Sequence, residues 1–370
     1  MRKIFNFNTK WAFTKDAETV PSVMPQKWYW VNLPHTWNDI DGQDGGNDLY
    51  RGTSYYAKEL EKIDLPKADK YFLELQGANS SATVYVKNKK LASHDGGYST
   101  WRVDITDVLE DKNLFVVEVD NSANDRVYRQ NADFTFYGGL YRDVNIIAVN
   151  NSHFDLEYYG TPGIKVTPEV VGEHAKVDVE VFVKNAKENQ KLVYTIKDRE
   201  GNVVAQRETT ASQKEAIFEI ENVHLWHGRK DPYLYSVEVL LKENDEILDN
   251  VSTRFGCRTF KIDPELGFIL NGEEYPLRGM VVWAEIPYIS THMPKGRENT
   301  ITQMKELVVQ NYNHPSIVVW GLSNEITMSG DSTEDLRENH VILNDLVHEM
   351  DKTRLTTIAC VSMCDMDAKL

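Results

Sequence analysis

Positive charge is what this 370-residue chain is short of: 41 Lys and Arg stand against 57 Asp and Glu, a formal net charge of −16. So acidic a chain repels a phosphate backbone, and no basic stripe reverses this locally, which excludes nucleic acid as a partner. Long hydrophobic runs are also lacking. No segment approaches the ~20 apolar residues that span a bilayer, and Met1-Arg-Lys-Ile-Phe-Asn-Phe-Asn has two cations with no apolar stretch behind them. The expectation is a chain with no membrane partner and no export signal, placed in the cytoplasm. Cysteine is scarce too: Cys257, Cys360 and Cys364 are too few and scattered for a disulfide framework, and an odd count fits a reducing compartment. Cys360-x-x-x-Cys364 has the spacing of half a metal site. No second pair and no suitably spaced histidines accompany it, so buried thiols are the expected state.

What is present is ordinary globular material: 41% hydrophobic, 11% aromatic and 26% charged residues, enough for real cores. The length suits two or three domains. Residues 1–150 read as a jelly-roll β-sandwich. Short strands such as Tyr71-Phe-Leu-Glu-Leu, Ala82-Thr-Val-Tyr-Val and Leu114-Phe-Val-Val-Glu-Val are divided by turn clusters at Lys87-Asn-Lys-Lys and His94-Asp-Gly-Gly. Residues 151–262 read as an immunoglobulin-like sandwich: Lys176-Val-Asp-Val-Glu-Val-Phe-Val alternates with period two, and Lys191-Leu-Val-Tyr-Thr-Ile turns through Asp198-Arg-Glu-Gly-Asn into Val203-Val-Ala.

The grammar changes in residues 263–370. Val281-Val-Trp-Ala ends at Glu285, and Ile301, Met304, Leu307 and Val308 recur at helical spacing. Ile317-Val-Val-Trp-Gly-Leu then ends at Asn324-Glu325, a capping box Ser332-x-x-Asp335 opens a second helix, and Leu355-Thr-Thr-Ile-Ala-Cys-Val makes a third strand. Strands alternating with helices imply a parallel sheet. A whole (β/α)₈ barrel needs about 250 residues, so this unit is expected to be an incomplete TIM barrel. In such a barrel the chemistry sits at the C-terminal strand ends, where both runs finish in a glutamate, Glu285 and Glu325. Two carboxylates at one mouth are what glycoside hydrolysis uses, although a lone Asn-Glu at a strand end is also compatible with a surface turn.

Asn313-His-Pro-Ser-Ile-Val-Val-Trp-Gly-Leu-Ser-Asn-Glu325 closely resembles the acid/base signature of glycoside hydrolase family 2, the family of β-galactosidases, β-glucuronidases and β-mannosidases. Leu33-Pro-His-Thr-Trp-Asn, Tyr50-Arg-Gly-Thr-Ser-Tyr-Tyr, Phe136-Tyr-Gly-Gly-Leu-Tyr-Arg-Asp, Arg254-Phe-Gly-Cys-Arg, Phe268-Ile-Leu-Asn-Gly-Glu and Pro276-Leu-Arg-Gly agree in order. The resemblance covers essentially the whole chain and is closest to bacterial β-galactosidases. It implies retaining hydrolysis of terminal non-reducing β-D-galactosides, with Glu325 as general acid/base and Asn324 bonding the sugar 2-hydroxyl. β-Glucuronidase-like specificity and a non-catalytic carbohydrate-binding fragment are the alternatives. Asp133 and Asn47 match residues that reach into the galactose site, and Glu285 resembles a strand carboxylate lining the pocket. The galactosidase branch also implies a Mg2+ ion, here bound by His292 and Glu325, with Ser290 where a carboxylate is expected. A hydrogen-bonded loop histidine is the other reading of His292. Trp11, Trp28, Trp30 and Trp37 are read as sandwich core, with sugar stacking as the alternative.

Two parts of the family pattern are expected to be missing. After Arg278-Gly279 the chain passes directly to Met280-Val-Val-Trp-Ala-Glu, as though two strand–helix units were removed, and Leu370 precedes the strand that bears the nucleophilic glutamate. Three parallel strands leave open edges and apolar faces, so a homo-oligomer or a complementing chain is expected to cover them.

Overall fold

A computed structural model describes residues 1–15, 17–41, 49–128, 135–276, 281–328 and 332–360. The N-terminal unit is two antiparallel sheets packed face to face. In the larger, the strands Tyr29–Val31, Trp11–Thr14, Thr53–Glu61, Lys112–Asp120, Ser81–Val86 and Lys89–Asp95 lie side by side in that order; in the smaller the order is Lys3–Asn6, Val144–Val149, Lys70–Leu75 and Trp101–Asp104. Alternating inward residues, among them Trp11, Tyr56, Leu73, Val84, Phe115 and Ile146, fill the space between them. The second unit pairs a three-stranded sheet (Ile164–Val171, His174–Val181, Glu215–Ile220) with a four-stranded one (Val203–Thr210, Gln190–Lys197, Tyr235–Glu243, Glu246–Phe255). Val177, Val179, Tyr194, Val237 and Val239 form its core, as period-two alternation requires.

After a short antiparallel sheet over residues 260–274 comes the parallel part: β1 (Val282–Glu285), α1 (Arg297–Asn311), β2 (Ile317–Asn324), α2 (Glu334–Met350) and β3 (Leu355–Ala359). The strands lie in the order β1, β2, β3, all parallel, so β2 is central. Its Trp320 and Leu322 pack beneath Met304 and Val308 of α1 and Leu343 and Val347 of α2. Among the described residues no helix covers the opposite sheet face. Val282 is 40%, Trp283 45% and Leu355 41% exposed, the open apolar face expected of a partial barrel.

Helix α1 is buried on a second side, with polar residues. Asn299 Oδ1 accepts from the Tyr128 amide at 2.9 Å, Glu306 pairs with His94 at 2.5 Å, and Gln310 bonds both the amide and the carbonyl of Thr100. Asn313, just beyond the helix, accepts from Val166 N–H and donates to the Ile164 carbonyl. Each of these would cost free energy if buried unpaired, so α1 is fixed to both sandwiches. Ser332 does not cap α2 as its capping box suggests. Thr333 takes that position, its side chain accepting from Leu336 N–H, because Asp335 is drawn away to His292 and Arg297. Cys257 is buried, but Cys360 is exposed because β3 ends at Ala359, and Cys364 lies outside the described residues. Among the described residues no helix is long and apolar enough to cross a membrane.

Candidate active site

The buried run Ile317–Leu322 emerges from the core at Asn324, half-buried at the C-terminal end of β2. Two backbone bonds hold this point from both sides: Asn324 N–H donates to the Tyr288 carbonyl at 2.9 Å, and Glu325 N–H to the Ala359 carbonyl at 2.8 Å. Glu325 has φ +48° and Ser290, whose N–H donates to the Asn324 carbonyl, has φ +69°. Non-glycine residues enter this left-handed region at a cost and concentrate at functional sites, where surrounding contacts hold them. The turn takes Glu325 out of the strand line and sets it at the mouth of the sheet. Beneath it, Ser323 Oγ is 2.7 Å from His340 Nε2, both fully buried. Burial and the nearby His292 push the His340 pKa down to about 4, so it stays a neutral partner that fixes the strand end.

Glu285 is less well placed. Strand register sets it opposite Gly321, three residues before Asn324, or about 10 Å deeper along the sheet. It shares the open face with Trp283 and borders a cleft of about 270 Å³ with Tyr98, Ser99 and Gln303. Although the residue is exposed overall, the sheet face partly desolvates its carboxyl and raises its pKa. A Cβ at Gly321 would run into the Glu285 Cβ and the Trp283 indole. Gly321→Ala is therefore expected to cost about 1–3 kcal/mol, read as a lower urea midpoint. An unchanged midpoint would mean that both side chains swing clear.

His292 does not stand free for a metal. One ring nitrogen is 2.5 Å from Tyr288 Oη, and the other pairs with Asp335, which also holds Arg297. The Asp335 carboxyl lies below its ordinary pKa through its bond to His292 and the charge of Arg297, against partial desolvation. Among the described residues no group of three His, Cys, Asp or Glu could hold a metal ion. This donor set does not fit Mg2+, which prefers several anionic oxygens. Tyr288, His292, Asp335 and Arg297 instead tie the loop after β1 to the start of α2. No sequence signal joins residues so far apart into such a cluster.

Asp133 and Asn47 lie outside the described residues. Tyr128, close before Asp133 in sequence, is anchored on the barrel part, its ring centroid 4.8 Å from that of Tyr288. Among the tryptophans, Trp11 and Trp37 are buried and Trp28 is half-buried, as core residues should be. Trp30 departs from that expectation at 63% exposure, because Tyr29–Val31 is an edge strand.

Three family models match in the order of the architecture: the glycosyl hydrolase 2 galactose-binding domain-like family over residues 49–155, glycosyl hydrolases family 2 over 162–258, and its TIM barrel domain over 264–369. The chain belongs to glycoside hydrolase family 2. It is 31% identical to a β-glucuronidase of Bacteroides fragilis, over 89% of this chain and 57% of that protein. It is 24% identical to a β-galactosidase of Thermoanaerobacter pseudethanolicus, over 96% of this chain and 55% of that protein. Among solved structures, an FMN-binding β-glucuronidase from Facaelibacterium prausnitzii L2-6 superposes with TM-score 0.92 at 34% identity, covering 98% of this chain and 64% of that one. The family 2 chain thus spans about half the length of the curated relatives it matches. The two alignments run over 403 and 434 residues, more than the 370 present here, so the relatives hold residues within the matched stretch that this chain lacks. That agrees with a barrel short of strand–helix units.

Proposed function

We propose that this chain carries the acid/base part of a retaining β-D-glycosidase site that acts on terminal β-galactosides or β-glucuronides. The observation that supports it is the Asn324–Glu325 corner: a carboxylate-bearing residue at the C-terminal end of the central parallel strand, held by backbone bonds to the loop after β1 and to the end of β3. Glu325 protonates the glycosidic oxygen and later deprotonates water, while Asn324 bonds the sugar 2-hydroxyl. Overall resemblance supports a galactoside, and the relatives named β-glucuronidase support a glucuronide. Glu285 lines the pocket, its strand position opposite Gly321. The partner carboxylate that a retaining pair needs at about 5–5.5 Å is taken to come from outside this chain, so that a small external nucleophile can stand in for it. Azide attacking the anomeric carbon as the aglycone oxygen leaves with the proton of Glu325 gives an α-glycosyl azide and the free alcohol.

The test is nitrophenol release from nitrophenyl β-D-galactoside and β-D-glucuronide, side by side, with and without sodium azide. Azide-dependent release from one of them, with the α-glycosyl azide as product, is expected and also assigns the specificity. No release from either in a folded sample would overturn the reading.

A further inference from the structure

On the far side of the barrel part from Glu325, a cleft of about 530 Å³ opens between the immunoglobulin-like sandwich and the N-terminal ends of β2 and β3. Thr167, Glu169, Arg258, Thr259, Lys352 and Arg354 are among the residues that line it. Two guanidinium groups here share one carboxylate. Arg354 has it: its Nη1 donates to Asp351 at 2.7 Å, its Nε to the Ile317 carbonyl and its Nη2 to that of Tyr312. Asp351 is fully engaged, since it also accepts from Trp320 Nε1 and from the hydroxyl and amide of Thr353.

Arg258 therefore carries a half-buried positive charge without an ion-pair partner among the described residues. It donates to the carbonyls of Pro315 and Ile317 and lies against the Phe260 ring, and among the described residues no carboxylate pairs with it. That leaves N–H groups of its five unspent at the cleft. Burial, assisted by the charge of Arg354 and opposed by Asp351, pushes its pKa down to about 9, a sign of charge that is poorly compensated. Lys352, which is exposed, has no ion-pair partner among the described residues; Glu169 is the one acid lining the cleft. In a chain of net charge −16 a cation-rich recess is a local exception. Its volume suits a small metabolite rather than a bare ion.

We propose that this cleft binds a small oxyanion, the phosphate or carboxylate group of a metabolite, through Arg258 and Lys352. Two charge-assisted hydrogen bonds to one oxyanion are the arrangement such donors favour. Nothing in this rests on the glycosidase reading, and the site is remote from Glu325.

Thermal unfolding of the whole chain tests it, with inorganic phosphate and malonate each compared against chloride at equal ionic strength. A ligand that binds only the folded state raises the midpoint in a concentration-dependent way. Because phosphate also stabilises proteins generally by exclusion, the difference between wild type and variants is what is read. The wild-type shift is expected to shrink in Lys352→Ala, whose exposed side chain is not needed for folding, and to vanish in Arg258→Met. Should Arg258→Met not fold, Lys352→Ala decides alone. Response to phosphate only, to malonate only, or to both assigns the group bound. No variant-dependent shift with either anion overturns the proposal.

Discussion

Glu325→Gln is expected to lower azide-supported nitrophenol release by about 10²- to 10⁴-fold, the usual contribution of a positioned proton donor. Glutamine keeps the volume and the backbone bonds of Glu325 to Ala359, so the corner should persist while the proton is lost. The loss must depend on the leaving group. A dinitrophenolate departs unaided and should be little affected, whereas an alkyl alcohol cannot leave without a proton and its release should fall below detection. This dependence separates an acid/base from a residue that only shapes the pocket, which would slow every substrate alike. Equal loss across leaving groups, or none, would remove Glu325 from the chemistry.

Much of this is legible in the amino-acid sequence itself. Ile317-Val-Val-Trp-Gly-Leu is a buried run that ends abruptly in Asn-Glu, and burial on both faces of a parallel strand demands such a run. The period-two stretches of the sandwiches became strands for an equally local reason, since alternate residues enter the core. What stayed illegible depends on contacts between distant segments. Asn299, Glu306 and Gln310 are polar residues of α1, yet the first two are buried and Gln310 is half-buried because the sandwiches offer a matching amide, imidazole and backbone. His292 matches a metal ligand only through the family resemblance, and the approach of Asp335 from α2 shows what occupies its second nitrogen. The depth of Glu285 followed from strand register, which a run of four residues does not specify. Arg258 was visible as part of a motif, but that no carboxylate among the described residues pairs with it is a property of the folded chain.

Asp351→Asn is expected to cost about 3–5 kcal/mol at neutral pH, because it leaves the Arg354 guanidinium buried without its partner. The pair is enclosed, with side-chain exposures of 6% for Arg354 and 0% for Asp351. Asp351 also receives the Trp320 indole N–H at 2.8 Å, and Arg354 bonds the carbonyls of Ile317, Tyr312 and His314. One triad thus joins the start of β2, the end of α1 and the turn before β3. Burial alone would raise the Asp351 pKa; the charge of Arg354 with the bonds from Thr353 and Trp320 outweighs it and holds the carboxyl below its ordinary value. A depressed carboxylate contributes stability that is fully present above its unfolded pKa of about 3.9 and is lost as pH falls through the lower folded value. The difference in urea midpoint between wild type and Asp351→Asn should therefore hold from pH 7 to about pH 5 and shrink as the acid range is entered. A difference that does not change with pH would mean that packing around Trp320, not the carboxylate charge, holds the three elements together.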